Sequence, residues 1–161
     1  MPKILAFSGS ARNGSYNQKL VQIAALGVRQ ADLAPKMHWV EHHSAHLAST
    51  FFVSPFEEAA LCAIDGFGDF VSTSRGVGRG NRLDISDKIY FPHSLGLLYL
   101  AMTQYLGFPH YGDEYKVMGL APYGEPIYVD ALRQLFQLTP DGGFELDLSY
   151  FSHWSGGVRM T

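Results

Sequence analysis

The chain has 161 residues, 47% hydrophobic and 17% charged, and a formal net charge of −3. That length and balance suit one modest domain, or one and a fraction, with a real core. The acidic balance excludes a basic footprint for nucleic acid or for an anionic membrane surface, and no apolar run reaches the roughly 18 residues that a membrane span needs.

Lys3 to Phe7 (KILAF) is a short apolar run that reads as a buried strand. A polar loop, SGSARNGSYN, follows, and then Gln18 to Gln30 carries apolar residues on a broad helical face, with Asn17 as a plausible N-cap. The start of the chain is therefore strand, Gly/Ser loop, helix. Ala34-Pro35 ends that helix, and a boundary falls near Leu33 to Lys36. Met37 to Glu41 (MHWVE) suits a strand. His43 to Val53 suits a helix, stopped by Ser54-Pro55, because a residue before proline avoids helical angles.

Ala59 to Ile64 is a second apolar strand, ending in Asp65-Gly66-Phe67-Gly68-Asp69. The lone cysteine, Cys62, lies in this run. A single thiol excludes an intrachain disulfide and a paired-cysteine metal knuckle, and with no leader pattern in MPKILAFSGSARNG it points to a reducing, cytoplasmic setting. No partner for it is evident, so it reads as a small buried hydrophobe rather than a nucleophile. Phe70 to Ser74 and Arg82 to Ile89 suit further strands, with the glycines at 76, 78 and 80 in a turn between them. Ser94 is a good N-cap for an apolar helix from Leu95 to Leu106, ended by Gly107, and His93 beside it stands where it can reach a site at that helix end. DEYKVMGLAPYG (113–124) forms a short helix or turn, Tyr128 to Leu138 another helix, and Gly142-Gly143 joins a short strand pair.

Seven histidines occur in the chain, and three of them crowd into VEHHSAH, at 42, 43 and 46. On a helix, His42 and His46 share one face and can offer two nitrogens to one metal ion, while His43 points elsewhere. Two imidazoles under-coordinate a divalent ion, so a carboxylate and a substrate oxygen are needed. Asp65 is the nearest candidate, since it closes an apolar strand and its neighbours Gly66 and Gly68 let a phosphate or metal approach the backbone. The same spacing also suits a first helical turn with one capped and one solvent-facing histidine. In DEYKVMGLAPYG, Glu114 and Lys116 read equally as a solvated salt pair.

HHSAHLASTFFVSPFEEAALCAIDGFGD, FPHSLGLLYLAMTQYLGF and DEYKVMGLAPYGEP, in that order and spacing, resemble the carbamoyltransferase family that includes the nodulation-factor and antibiotic O-carbamoyltransferases. The resemblance covers residues 37–161. It implies an α/β fold of the actin-like (ASKHA, RNase H-like) type. It implies a reaction in which carbamoyl phosphate and ATP give a carbamoyl-adenylate, whose carbamoyl group passes to the hydroxyl of a small molecule. It also implies that His42 and His46 hold a divalent metal, iron, beside the nucleotide phosphates. Asp65 then belongs to the same metal and nucleotide site, with Gly66, Gly68 and Lys116 at the nucleotide. No nucleic acid or membrane partner is implied. Family members are several times longer, so the chain is expected to hold only the N-terminal part of that domain and to be inactive alone.

Residues 1–34 resemble something else: the first βα unit of NADPH-dependent FMN reductases, a flavodoxin-like family in which this loop binds the FMN phosphate at a helix N-terminus. Ser8, Ser10, Arg12, Ser15 and Asn17 match that loop, and hydroxyls, an arginine and free helix N–H groups suit a phosphate dianion. Two units are thus expected: a flavodoxin-like strand-loop-helix fragment over 1–34, and a truncated carbamoyltransferase domain over 37–161. A flavin-binding fragment is the alternative function, and a truncated or misjoined reading frame explains the pairing.

Overall fold

A computed structural model describes residues 4–5, 37–38 and 40–156. At the front, strand β1 (Ile4–Leu5) pairs in parallel with β2 (Met37–His38), Ile4 opposite Met37. Both fall inside the strands expected from sequence. The helix expected over Gln18–Gln30, the boundary near Leu33 and the loop residues Ser8, Ser10, Arg12, Ser15 and Asn17 lie outside the described residues.

Helix α1 (His42–Phe51) starts at a double cap. Glu41 is the N-cap, and its carboxylate accepts from the Ser44 N–H at 3.1 Å and the Ser44 hydroxyl at 2.7 Å. The Asp69 carboxylate accepts from the His42 N–H at 2.9 Å. Together they satisfy helix donors that have no partner within the first turn. The helix buries His43, Leu47 and Phe51, a stripe at every fourth residue.

That stripe lies on a three-stranded antiparallel meander of β3 (Glu58–Gly68), β4 (Val71–Arg79) and β5 (Arg82–Tyr90), in the order β3-β4-β5. The strands run longer than the sequence suggests. Gly76 and Gly78 are not turn residues but lie inside β4, and the turn is Gly80-Asn81, with Gly80 at φ +54°. The reason is close approach. A Cβ on Gly78 would stand 2.7 Å from the Phe51 ring, so glycine there lets α1 lie flat on the sheet. A Cβ on Gly76 would strike the Asp84 backbone, beside the irregularity between Arg75 and Gly76. The β3–β4 turn is Asp69-Phe70, with both residues at positive φ, 51° and 65°. Cys62 is exposed, contrary to the buried hydrophobe expected, because strand alternation turns its neighbour Ala63 inward instead.

Helix α2 (Leu95–Tyr105) begins as the sequence predicts, at Ser94, whose hydroxyl accepts from the Leu97 N–H at 3.0 Å. The same hydroxyl donates to the Asp65 carbonyl at 3.0 Å, tying the helix start to β3. Gly96 makes the approach possible: a Cβ there would lie 2.6 Å from the Asp65 carbonyl and the Gly66 nitrogen. Gly107, at φ +92°, follows the helix end.

Beyond it come α3 (Glu114–Leu120), a 3₁₀ turn over Ala121–Tyr123, and α4 (Val129–Arg133). The helix expected over Tyr128–Leu138 is only its first half. Phe136–Leu138 is strand β6, paired with β7 (Phe144–Leu146), where Phe144 and Leu146 are buried. Hairpin pairing with β7, whose Phe144 and Leu146 are buried, overrides the helical pattern over Phe136–Leu138. Arg75 holds the hairpin to the meander through the Gly142 carbonyl at 2.7 Å while pairing with Asp87, and the Leu146 N–H donates to His93 Nδ1 at 3.0 Å. A short helix, α5 (His153–Gly156), closes the described chain. The arrangement is mixed α/β, and among the described residues no helix is long and apolar enough to cross a membrane.

Gly96→Ala should therefore destabilise the fold by about 1–3 kcal/mol, as overpacking against fixed backbone does. Gly119→Ala, with nothing within 4 Å of the added carbon, should stabilise it by up to about 1 kcal/mol. Urea denaturation of both variants against the parent checks the pair.

Candidate metal centre

Three side chains meet where α1 begins and the apolar part of β3 ends. His42 Nε2 lies 2.8 Å from Asp65 Oδ2 and 2.9 Å from His46 Nε2, and His46 Nε2 lies 3.4 Å from the same carboxylate oxygen. The i, i+4 spacing stacks the two imidazoles on one face of α1, edge to face, with ring centroids 4.5 Å apart. His42 is nearly enclosed, its side chain 9% exposed, whereas His46 at 53% and Asp65 at 37% face the open side.

The enclosure of His42 has a structural cause in Gly68. A Cβ at that position would overlap the His42 ring, so glycine leaves the space the imidazole fills. Gly66 has a different part, since its N–H donates to Asp65 Oδ1 at 2.6 Å and turns the carboxylate toward the histidines. Burial by itself would raise the Asp65 carboxyl above its ordinary range. The hydrogen bond from His42, the Gly66 N–H and the charges of His42 and His46 outweigh it and hold the carboxyl below that range. Asp65 is thus an anion facing two ring nitrogens.

The donors fit a divalent ion. Adjacent donors around an ion bound at about 2.0–2.1 Å stand about 3 Å apart, and these three atoms all lie within 4.8 Å of one another. Two facing Nε2 atoms at 2.9 Å also share a single proton at best, so one ring must donate and the other accept. A cation in front of them would accept all three lone pairs at once. Two imidazoles and one carboxylate on one side, with the other side open, is a donor set for a borderline ion such as iron(II).

The remaining residues singled out from sequence fall elsewhere. Lys116 on α3 pairs with Asp113 at 2.6 Å and lies 5.9 Å from the ring centroids of Phe108 and Tyr115. Its partner is thus Asp113 rather than Glu114, and none of these contacts brings it to the histidine cluster. His93 anchors β7 through its Nδ1 instead of reaching a site. Two residues that sequence reasoning passed over matter here. Asp69 caps His42, and Gly96 admits α2 against Asp65. The second aspartate of DGFGD was visible in the sequence, but its role depends on a helix 27 residues earlier.

Comparison with known proteins identifies the family. The family model described as "Carbamoyltransferase N-terminus" matches residues 4–161. The uncharacterized protein sll1178 of Synechocystis is 50% identical over 140 residues, 86% of this chain and 23% of that protein. Nodulation protein NolO of Bradyrhizobium diazoefficiens is 45% identical over 112 residues, 68% of this chain and 20% of its own length. Nodulation protein NolNO of Sinorhizobium fredii is 43% identical over 116 residues, 70% of this chain and 17% of its own. The chain spans about a fifth of the length of these relatives. A match across nearly the whole chain settles the family: this chain belongs to the carbamoyltransferases, through their N-terminal region.

Proposed function

We propose that the chain forms the metal-binding and phosphate-facing wall of an ATP-dependent O-carbamoyltransferase, within an actin-like domain. The observation that carries this reading is the convergence of His42 Nε2, His46 Nε2 and Asp65 Oδ2 within 4.8 Å on an open face. In the proposed reaction, carbamoyl phosphate, water and ATP give a carbamoyl-adenylate, phosphate and pyrophosphate. The hydroxyl oxygen of a small acceptor then attacks its carbonyl and AMP leaves. His42, His46 and Asp65 would hold a divalent ion, iron, which supplies positive charge next to the phosphate and the carbonyl.

The chain's own residues explain why the charge stays there. Neutral imidazoles contribute no charge, so one carboxylate leaves a bound divalent ion net positive. Gly66, with open space where a Cβ would stand, lets a phosphate oxygen come close to the backbone, although its N–H must first leave Asp65 Oδ1; the space beside Gly68 is already taken by the His42 ring. Lys116 supplies charge to the nucleotide once its pairing with Asp113 opens. The flavin alternative rests on residues 1–34. The family match runs from residue 4 through that stretch and favours the transferase reading.

Three donors leave coordination positions open, so iron(II) or cobalt(II) should bind weakly, at one ion per chain. Binding should tighten when ATP fills the open positions with phosphate oxygens. Equilibrium dialysis with and without ATP measures this. His42→Ala should weaken binding by more than about 100-fold, past the usual range for outer-shell changes. Wild-type affinity for the ion in the His42→Ala protein would sink the reading.

Acid should also weaken the metal-free fold through Asp65. Its folded-state carboxyl lies below the unfolded value, so its contribution is fully present above about pH 4 and is lost as pH falls through the folded-state value. Urea midpoints measured between about pH 6 and pH 2 should fall less steeply in Asp65→Asn than in the parent.

A further inference from the structure

Within the stripe of α1 that faces the sheet, Leu47 and Phe51 are apolar and His43 is not. His43 is fully buried, and neither of its ring nitrogens has a hydrogen-bond partner among the described residues. An apolar side chain would satisfy that position if packing were its only task.

The contacts of α1 point His43 at the buried part of β4 that holds Ser74. Phe51 packs on Gly78. From Phe51 back to His43 along α1 is about 12 Å at 1.5 Å per residue. From Gly78 back to Ser74 along β4 is about 13 Å at 3.3 Å per residue. The two runs match in length for a helix that lies along β4, and the side chain of the helix N-cap reaches the row of Ser74. Glu41 pairs with Lys88 at 3.4 Å, and Lys88 is the neighbour of Ser74 on β5. On the other side, Ala63 is the neighbour of Ser74 on β3 and is buried. Ser74 is itself fully buried with an unpartnered hydroxyl, and Glu41 Oε1 is a buried oxygen with no hydrogen bond beyond its ion pair.

We propose that one enclosed water joins His43, Ser74 and Glu41 Oε1, and that His43 is thereby a positioning residue for the metal centre. Three polar partners are what an enclosed water needs. A neutral imidazole, with one N–H and one acceptor nitrogen, can bond it from one side, and the hydroxyl from another. Burial holds the His43 ring below its ordinary pKa against the opposing pull of Asp65 and Glu41, in keeping with that neutral form. The ring centroid of His43 stands 5.8 Å from that of His42 and 6.0 Å from that of His46. Pinning His43 to the sheet therefore fixes the first turn of α1 and aims His42 at Asp65. The positioning role rests on the reading of His42, His46 and Asp65 as a metal centre.

The test uses the full chain with His43→Leu, Ser74→Ala and the double variant. In nitrogen-15 spectra of the metal-free protein, His43 should show one neutral tautomer with a slowly exchanging ring N–H that becomes fast in Ser74→Ala. In His43→Leu the His42 ring signals should move, because the first turn is no longer pinned. Cobalt(II) should bind about tenfold more weakly to each single variant, and the double variant should be no worse than either, as members of one network behave. A fast-exchanging His43 ring in the parent, His42 signals that stay put, or cobalt affinities that match the parent would each overturn the proposal. If the parent binds no cobalt, the metal reading fails, and the His42 shift alone decides whether His43 positions the turn. If His43→Leu does not fold, the Ser74→Ala spectra and affinity decide it.

Discussion

The site depends on a packing constraint before it depends on any charge: the imidazole of His42 occupies the space where Gly68 lacks a side chain. This seats α1 against the end of β3 and leaves His42 Nε2 2.8 Å from Asp65. From the other side, Ser94 holds the Asp65 carbonyl and Gly96 brings the start of α2 onto the same strand. Two helices thus begin at one strand end. Their first turns bring the positive ends of two helices toward an anionic carboxylate, which the local electrostatics favour.

Residue choice around the cluster follows from that seating. Of the two histidines that face Asp65, His42 is enclosed and His46, a turn further on, faces outward. Asp65 stays charged despite its burial because three hydrogen-bonding or charged neighbours face it. An inner donor, an outer donor and a fixed anion give a set of donor atoms held rigidly on the protein side and open on the other.

Local pattern carried much of this. The i, i+4 histidines, the Ser94 cap and the apolar run ending at Asp65 each depend on residues close in sequence, and each sits where local rules put it. What local pattern missed depends on contacts between distant segments. Gly76 and Gly78 have the composition of a turn, but their role in β4 is set by Asp84 and Phe51. Phe136–Leu138 continues a helical pattern until β7 supplies a partner. Cys62 sits in an apolar run, and only the inward turn of Ala63 decides that it faces out. Lys116 is the exception: its ion pair with Asp113 is a local contact three residues apart, and the reading toward Glu114 misses it.

The tip of the β3–β4 hairpin carries one more implication. Asp69 and Phe70 both hold left-handed backbone angles that asparagine and glycine adopt far more easily. Glycine at 69 would relax the tip but would remove the carboxylate that receives the His42 N–H. Strain at the tip and alignment of the first imidazole are therefore one mechanical unit. Phe70, 70% exposed, shares that tip, so the turn that caps the start of α1 also carries an uncovered aromatic ring.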